Sequence, residues 1–120
     1  MKTLPPKVLD RREYPAGRVL FDQGQKGSHA YVLEEGEVDI IRMHGDERRV
    51  LGRLGPGSIF GEMALIDDKP RMAGAVTVSK CTCLVISREQ FQARTGDANP
   101  FVQALLRILV SNVRSLAEEH

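Results

Sequence analysis

From about residue 11 to residue 87, turn residues cut the chain at intervals of roughly 8–12 residues, a spacing that leaves room for short strands and little else. Pro15-Ala16-Gly17 precedes the apolar run Val19-Leu20-Phe21, and Gly24 and Gly27 punctuate the polar loop that follows. Ala30-Tyr31-Val32-Leu33 leads through Glu34-Glu35-Gly36 into Val38-Asp39-Ile40-Ile41, which predicts a hairpin. His44-Gly45-Asp46 is another turn, Arg48 to Leu54 alternates charged with apolar residues, and Gly55-Pro56-Gly57 breaks the chain again. Ala75-Val76-Thr77-Val78 and Cys83-Leu84-Val85-Ile86 add two more strands. Such spacing favours an antiparallel sandwich or jelly roll over βαβ units.

Past residue 87 the period changes. Ser87-Arg88-Glu89-Gln90 has the pattern of a capping box and opens a short helix through Phe91. Asn99-Pro100 supplies an N-cap and an N1 proline for a long helix. Gln103, Arg107, Ser111, Arg114 and Glu118 recur every three or four positions and form its polar face. Phe101, Val102, Leu105, Leu106, Ile108, Leu109, Val110, Val113 and Leu116 cover nearly everything else, a stripe wider than one contact with a sheet requires. Part of it is expected to pack on the β-domain and the rest to meet a ligand or a second chain. The alternative is a deep groove of its own domain.

A chain of 120 residues affords one core. With 17 basic and 16 acidic residues the net charge is +1, without the basic excess or stripe of a nucleic-acid binder. Lys7, Arg11, Arg12 and Arg18 come nearest, but Asp10 and Glu13 interrupt them, so a solvated strand edge is expected. No apolar run approaches the roughly 20 residues that span a bilayer, and Met1-Lys2-Thr3-Leu4-Pro5-Pro6 lacks a signal-peptide core, which predicts a cytoplasmic protein. Cys81 and Cys83 alternate on one strand and share a face, poor geometry for a disulfide and too few ligands for zinc. They read as buried free thiols.

The chemistry concentrates in residues 60–73, Phe60-Gly61-Glu62-Met63-Ala64-Leu65-Ile66-Asp67-Asp68-Lys69-Pro70-Arg71-Met72-Ala73. Glu62 to Leu65 are good helix formers, and Gly61 before them permits close backbone approach. A helical turn here presents unpaired N–H groups, which suit an anion. Arg71 follows after a loop that can fold back, and its guanidinium matches a phosphate bidentately, while Glu62 can accept hydrogen bonds from a sugar hydroxyl. A structural ion pair between Arg71 and Glu62 is the competing reading.

The run Gly61-Glu62-Met63-Ala64-Leu65, five further residues and then Arg71 resembles the phosphate-binding cassette of cyclic-nucleotide-binding domains, a family that includes bacterial catabolite activators, protein kinase A regulatory subunits and cyclic-nucleotide-gated channels. Pro15 to Phe21, Tyr31 to Val38 and Leu54 to Phe60 match the family's strand-and-glycine pattern. The resemblance implies an eight-stranded antiparallel β-roll of jelly-roll type over 12–92, with an N-terminal arm over 1–11 and a C-terminal lid or dimerisation helix within 93–120. By resemblance, Arg71 bonds the exocyclic phosphate oxygens and Glu62 the ribose 2′-hydroxyl. Backbone groups of Gly61, Met63, Ala64 and Ala73 complete the cradle, and Val38, Ile40 and Leu51 face the ligand or pack in the core. Met72 departs from the Ala, Ser or Thr common at that position and offers no hydroxyl, so the expected ligand is cAMP, with cGMP as the alternative.

In the family, nucleotide binding draws the cassette inward and lets the C-terminal helix close over the base. Asp67 and Asp68, if turned inward, would repel a phosphate, so both are expected in solvent. The expected function is that of a sensor domain with no cofactor, metal or catalytic role, signalling through a homodimer or an effector protein that meets the last helix, without nucleic acid or membrane. Met1 favours a stand-alone sensor over an excised piece. The first rival is a protein-interaction domain that has lost its ligand, which Met72 supports and Glu62 with Arg71 opposes. An enzyme of the cupin kind would need clustered histidines, whereas His29, His44 and His120 are isolated.

Overall fold

The computed structural model describes residues 10–95 and 99–118. Most of the expected N-terminal arm and His120 lie outside them; Asp10 and Arg11 are already the start of a strand. Eight strands form two four-stranded sheets. One sheet runs β1 (Asp10–Tyr14), β8 (Cys81–Ser87), β3 (His29–Glu35), β6 (Ile59–Phe60). The other runs β2 (Val19–Phe21), β7 (Gly74–Thr77), β4 (Val38–His44), β5 (Glu47–Leu54). All pairings are antiparallel. Between β6 and β7 lies a five-residue helix, α1 (Met63–Asp67); α2 (Arg88–Thr95) and α3 (Pro100–Glu118) follow the roll.

One expected pairing is corrected. β3 and β4 do not form a hairpin: β3 pairs with β6 and β8, β4 with β5 and β7, so the chain changes sheets at Gly36. Gly36 sits at φ +90, and a Cβ there would lie 2.4 Å from the Lys80 carbonyl and 2.7 Å from the Cys81 sulfur. Only glycine lets the corner pack this closely. The local hairpin is β4–β5, closed at Gly45-Asp46.

Between the sheets Leu33, Val38, Tyr31, Phe60, Ala75 and Val85 make the core, together with the two cysteines. Both cysteines are free and buried, as their alternation implied, and burial pushes the Cys83 thiol up to about 11. At the strand edge Arg11 pairs with Glu34 at 2.7 Å and Arg12 with Asp10 at 2.6 Å, exposed pairs that contribute little to stability. Phe21, Tyr31 and Phe60 cluster at one end of the roll, with Tyr31 and Phe60 stacked at 5.2 Å between centroids.

The helix starts follow the local chemistry. The Ser87 hydroxyl accepts from the Gln90 N–H at 3.1 Å, while the Gln90 side chain accepts from the Ser87 N–H at 3.0 Å, a closed capping box. The Asn99 side chain accepts from the Phe101 N–H at 2.8 Å. α3 departs from its expected orientation: its inward line is Gln103, Leu106, Val110, Arg114 and Ala117, so two residues of the polar face turn toward the roll. Phe101, Val102, Leu105, Ile108, Leu109, Val113 and Leu116 stay exposed.

Replacing Gly36 by alanine combines a strained positive φ with a backbone clash and is expected to destabilise the domain by about 3 kcal/mol. Denaturant unfolding checks this; a loss under about 1 kcal/mol would show that the corner relaxes freely.

Candidate functional site

Arg71 is the buried charge of the molecule's central site, only 6% exposed. Its main chain is pinned on both sides: its N–H donates to the Gln25 carbonyl at 2.8 Å, and its carbonyl accepts from the Gly24 N–H at 2.7 Å. The β2–β3 loop thus fixes where the side chain starts. The guanidinium then donates through Nη1 to the Gly61 carbonyl at 2.6 Å and through Nη2 to the His29 carbonyl at 2.7 Å. Its carbon lies 4.0 Å from the centre of the Phe21 ring, a cation–π contact. Nε is buried with no partner among the protein atoms.

Two glycines make this placement possible. A Cβ on Gly61, at φ +80, would lie 2.8 Å from Nη1 of Arg71; one on Gly27 would lie 2.5 Å from the Ala64 Cβ and 3.0 Å from the guanidinium carbon. Nη1 and Nη2 of Arg71 donate to main-chain carbonyls rather than to Glu62, which disfavours the structural ion pair as the reason for this residue pair.

Glu62 is the N-cap residue of α1 and makes no side-chain capping bond. Half-buried without that bond, its carboxyl is pushed above the ordinary carboxylate range by desolvation; its backbone and the Arg71 charge oppose the shift without cancelling it. Burial lowers the Arg71 value in turn, while Tyr31 and Glu62 raise it. A guanidinium stays protonated in either case.

These groups surround a cavity of about 250 Å³. Gly61, Glu62, Met63 and Ala64 form one wall, and Arg71, Met72 and Ala73 another. The structure therefore brings together all seven cassette residues singled out from the sequence. Met72 stands in the wall and leaves the space open; its carbonyl accepts from Arg42 of β4. Of the three apolar candidates, Ile40 lines the cavity. Val38 is fully buried in the core, and Leu51 is 42% exposed and does not line it. The reason is a bulge: Ile40 lies opposite Gly52 and Ile41 opposite Val50, so Leu51 is the extra residue and points out of phase.

Phe21, Leu54, Ile59 and Phe60 line the cavity too, as do Val113 and Arg114 of α3. The sequence runs containing the first four were singled out, but which face each residue takes depends on pairings that no single run reveals. Asp67 corrects another expectation. It is not in solvent but accepts from Arg114, while exposed Asp68 pairs with Arg88. Among the described residues no group of three His, Cys, Asp or Glu side chains could hold a metal ion, and no helix is long and apolar enough to cross a membrane.

The family model for the cyclic nucleotide-binding domain matches residues 11–95. The cyclic AMP receptor protein of Thermus thermophilus is 43% identical over 86 residues, 71% of this chain and 40% of that one. The cAMP-dependent protein kinase regulatory subunit of Eremothecium gossypii is 35% identical over 91 residues, 76% of this chain and 19% of that one. Among solved structures, the cAMP-bound EAL enzyme Bd1971 superposes with a TM-score of 0.84 at 32% identity, covering 88% of this chain and 28% of that one. The chain thus spans less than half the length of each of these relatives.

In the nucleotide-free protein the raised Glu62 value has a signed consequence. Stability associated with the neutral carboxyl is fully present below the unfolded-state value and is lost as pH rises through the raised folded value. Glu62→Gln is therefore expected to match the wild type near pH 4 and to melt higher near pH 7 (thermal unfolding across roughly that range). A melting difference that does not change with pH would contradict the desolvation.

Proposed function

The chain belongs to the cyclic nucleotide-binding domain family, and we propose that it is a cAMP-binding regulatory domain whose last helix reports occupancy. The observation that carries this reading is Arg71 itself: buried, pinned by its main chain, lining the cavity, and carrying an Nε–H with no partner among the protein atoms. A desolvated cation with a spare donor suits an anion, and a phosphodiester offers oxygens for that donor. The first N–H groups of a helix as short as α1 have no i−4 partners, which adds donors on the adjacent wall. Glu62, without a capping bond, is available to accept from a ribose hydroxyl.

The remaining wall is apolar, with Ile40, Leu54, Ile59 and Phe60, and suits a purine face. Met72 adds bulk but no hydroxyl, which favours cAMP over cGMP. The printed names of the relatives agree with the class: one is a cyclic AMP receptor, and Bd1971 has been solved with cAMP and with cGMP. Regulation rather than catalysis is supported by the printed names of the relatives, a cyclic AMP receptor protein and a protein kinase regulatory subunit.

α3 is the output in this reading. Val102, Leu105, Leu109 and Leu116 fall at spacings of three and four, apart from Asn112, on the exposed side of the helix. That seam suits a second copy of the same helix. A homodimer through α3 is the proposed assembly, with an effector protein on the same face as its alternative. Leu109→Glu is expected to convert a dimer to a monomer by light scattering; a wild type already monomeric at high concentration would oppose the homodimer.

Calorimetric titration with cAMP tests the site. Arg71→Ala is expected to weaken binding roughly 100-fold, since it strands a desolvated phosphate charge. Equal binding by wild type and variant would remove Arg71 from its proposed role. Absence of binding by a folded wild type would support the ligand-free interaction domain instead.

A further inference from the structure

Arg114 lies on α3, yet its guanidinium bonds to the cassette. Nε donates to one oxygen of Asp67 at 2.5 Å and Nη2 to the other at 3.0 Å, while Nη1 donates to the Pro70 carbonyl at 2.8 Å. Asp67 closes α1, and the Pro70 carbonyl belongs to the peptide that joins Pro70 to Arg71. One guanidinium thus grips the end of the cassette helix and the peptide next to the phosphate-facing arginine. Oδ1 of Asp67 also accepts from the Lys69 N–H at 3.0 Å, which ties the intervening loop into the same network.

Burial separates this contact from its neighbour. The Arg114 and Asp67 side chains are 11% and 12% exposed, whereas the Asp68 side chain, paired with Arg88, lies largely in solvent. An exposed pair breaks and reforms at little cost, but parting a buried one leaves an uncompensated charge. When the cassette shifts, α3 must therefore follow or lose a buried pair. Val113 and Arg114 also form part of the cavity wall, so the pose of α3 feeds back on the cavity itself.

We infer that Arg114 is a positioning residue that couples engagement of Arg71 to the pose of α3, acting through Asp67 and the Pro70 carbonyl. The inference rests on the functional reading above. Coupling of this kind is reciprocal: loosening the helix weakens the ligand by the same factor that the ligand tightens the helix.

Spin labels on cysteines introduced at exposed Asp46 and Ser111 report the distance from the roll to α3, because native Cys81 and Cys83 are fully buried. Distances are measured with and without saturating cAMP, and affinities by calorimetry, for the wild type, Asp67→Asn and the control Asp68→Asn. The wild type is expected to give a narrow distance that shifts with cAMP. Asp67→Asn should give a broad distance without nucleotide, bind cAMP roughly tenfold more weakly, and show no ordered shift at saturation, while Asp68→Asn follows the wild type. Asp67→Glu, which keeps the charge, should recover most of the shift. If Asp67→Asn does not fold, Arg114→Gln breaks the same pair from the helix side and is read the same way. A wild type that binds and moves α3, beside an Asp67→Asn that does both equally, overturns the coupling alone. A folded wild type that binds no nucleotide overturns the functional reading and the coupling with it.

Discussion

The rest of the structure is arranged around one expensive placement, a guanidinium taken almost wholly out of water. A buried cation survives only where fixed acceptors replace its hydration. Here the Gly61 and His29 carbonyls and the Phe21 ring do so. Each comes from a different part of the chain, so the site exists only when both sheets and the cassette are assembled. Gly27 and Gly61 are the places where that assembly tolerates no side chain. The protein satisfies two of the guanidinium's three nitrogens and leaves the third. Such partial satisfaction costs stability, and in the proposed function a bound anion would offset that cost.

The cassette has little stability of its own. A five-residue helix is far below the length that holds itself together in water, so α1 depends on what it packs against. Ala64 and Leu65 anchor it to the interior, and the adjacent aspartates tie it outward in two directions, Asp67 to α3 and Asp68 to α2. An element held by a few side-chain contacts rather than by its own ladder is suited to shift with a ligand. The roll beneath it is suited to stay still, with its core residues paired across several strands.

Local features were legible in the sequence and non-local ones were not. The capping box at Ser87 and Gln90 and the Asn99 cap are interactions over two or three residues, and residue order alone located them. The cassette was equally readable, because Gly61, Glu62 and Arg71 sit within one short segment of recognisable pattern. The β3–β4 hairpin failed because sheet membership is decided by partners far along the chain, β8 for one strand and β7 for the other. Leu51 stays out of the cavity for a related reason: the family resemblance put it there, but a bulge at Leu51, between Val50 and Gly52, turns it out of phase. The Asp67–Arg114 pair joins residues 47 apart, and nothing in the sequence near either one signals the other.

The proposed function depends on the Arg71 guanidinium meeting the ligand, and nuclear magnetic resonance of its Nε–H, which has no partner among the protein atoms, tests that most directly. On titrating the full chain with cAMP, the Arg71 Nε–H signal is expected to move with occupancy and become protected from solvent exchange. A nucleotide that binds while that signal stays where it was would contradict the assignment.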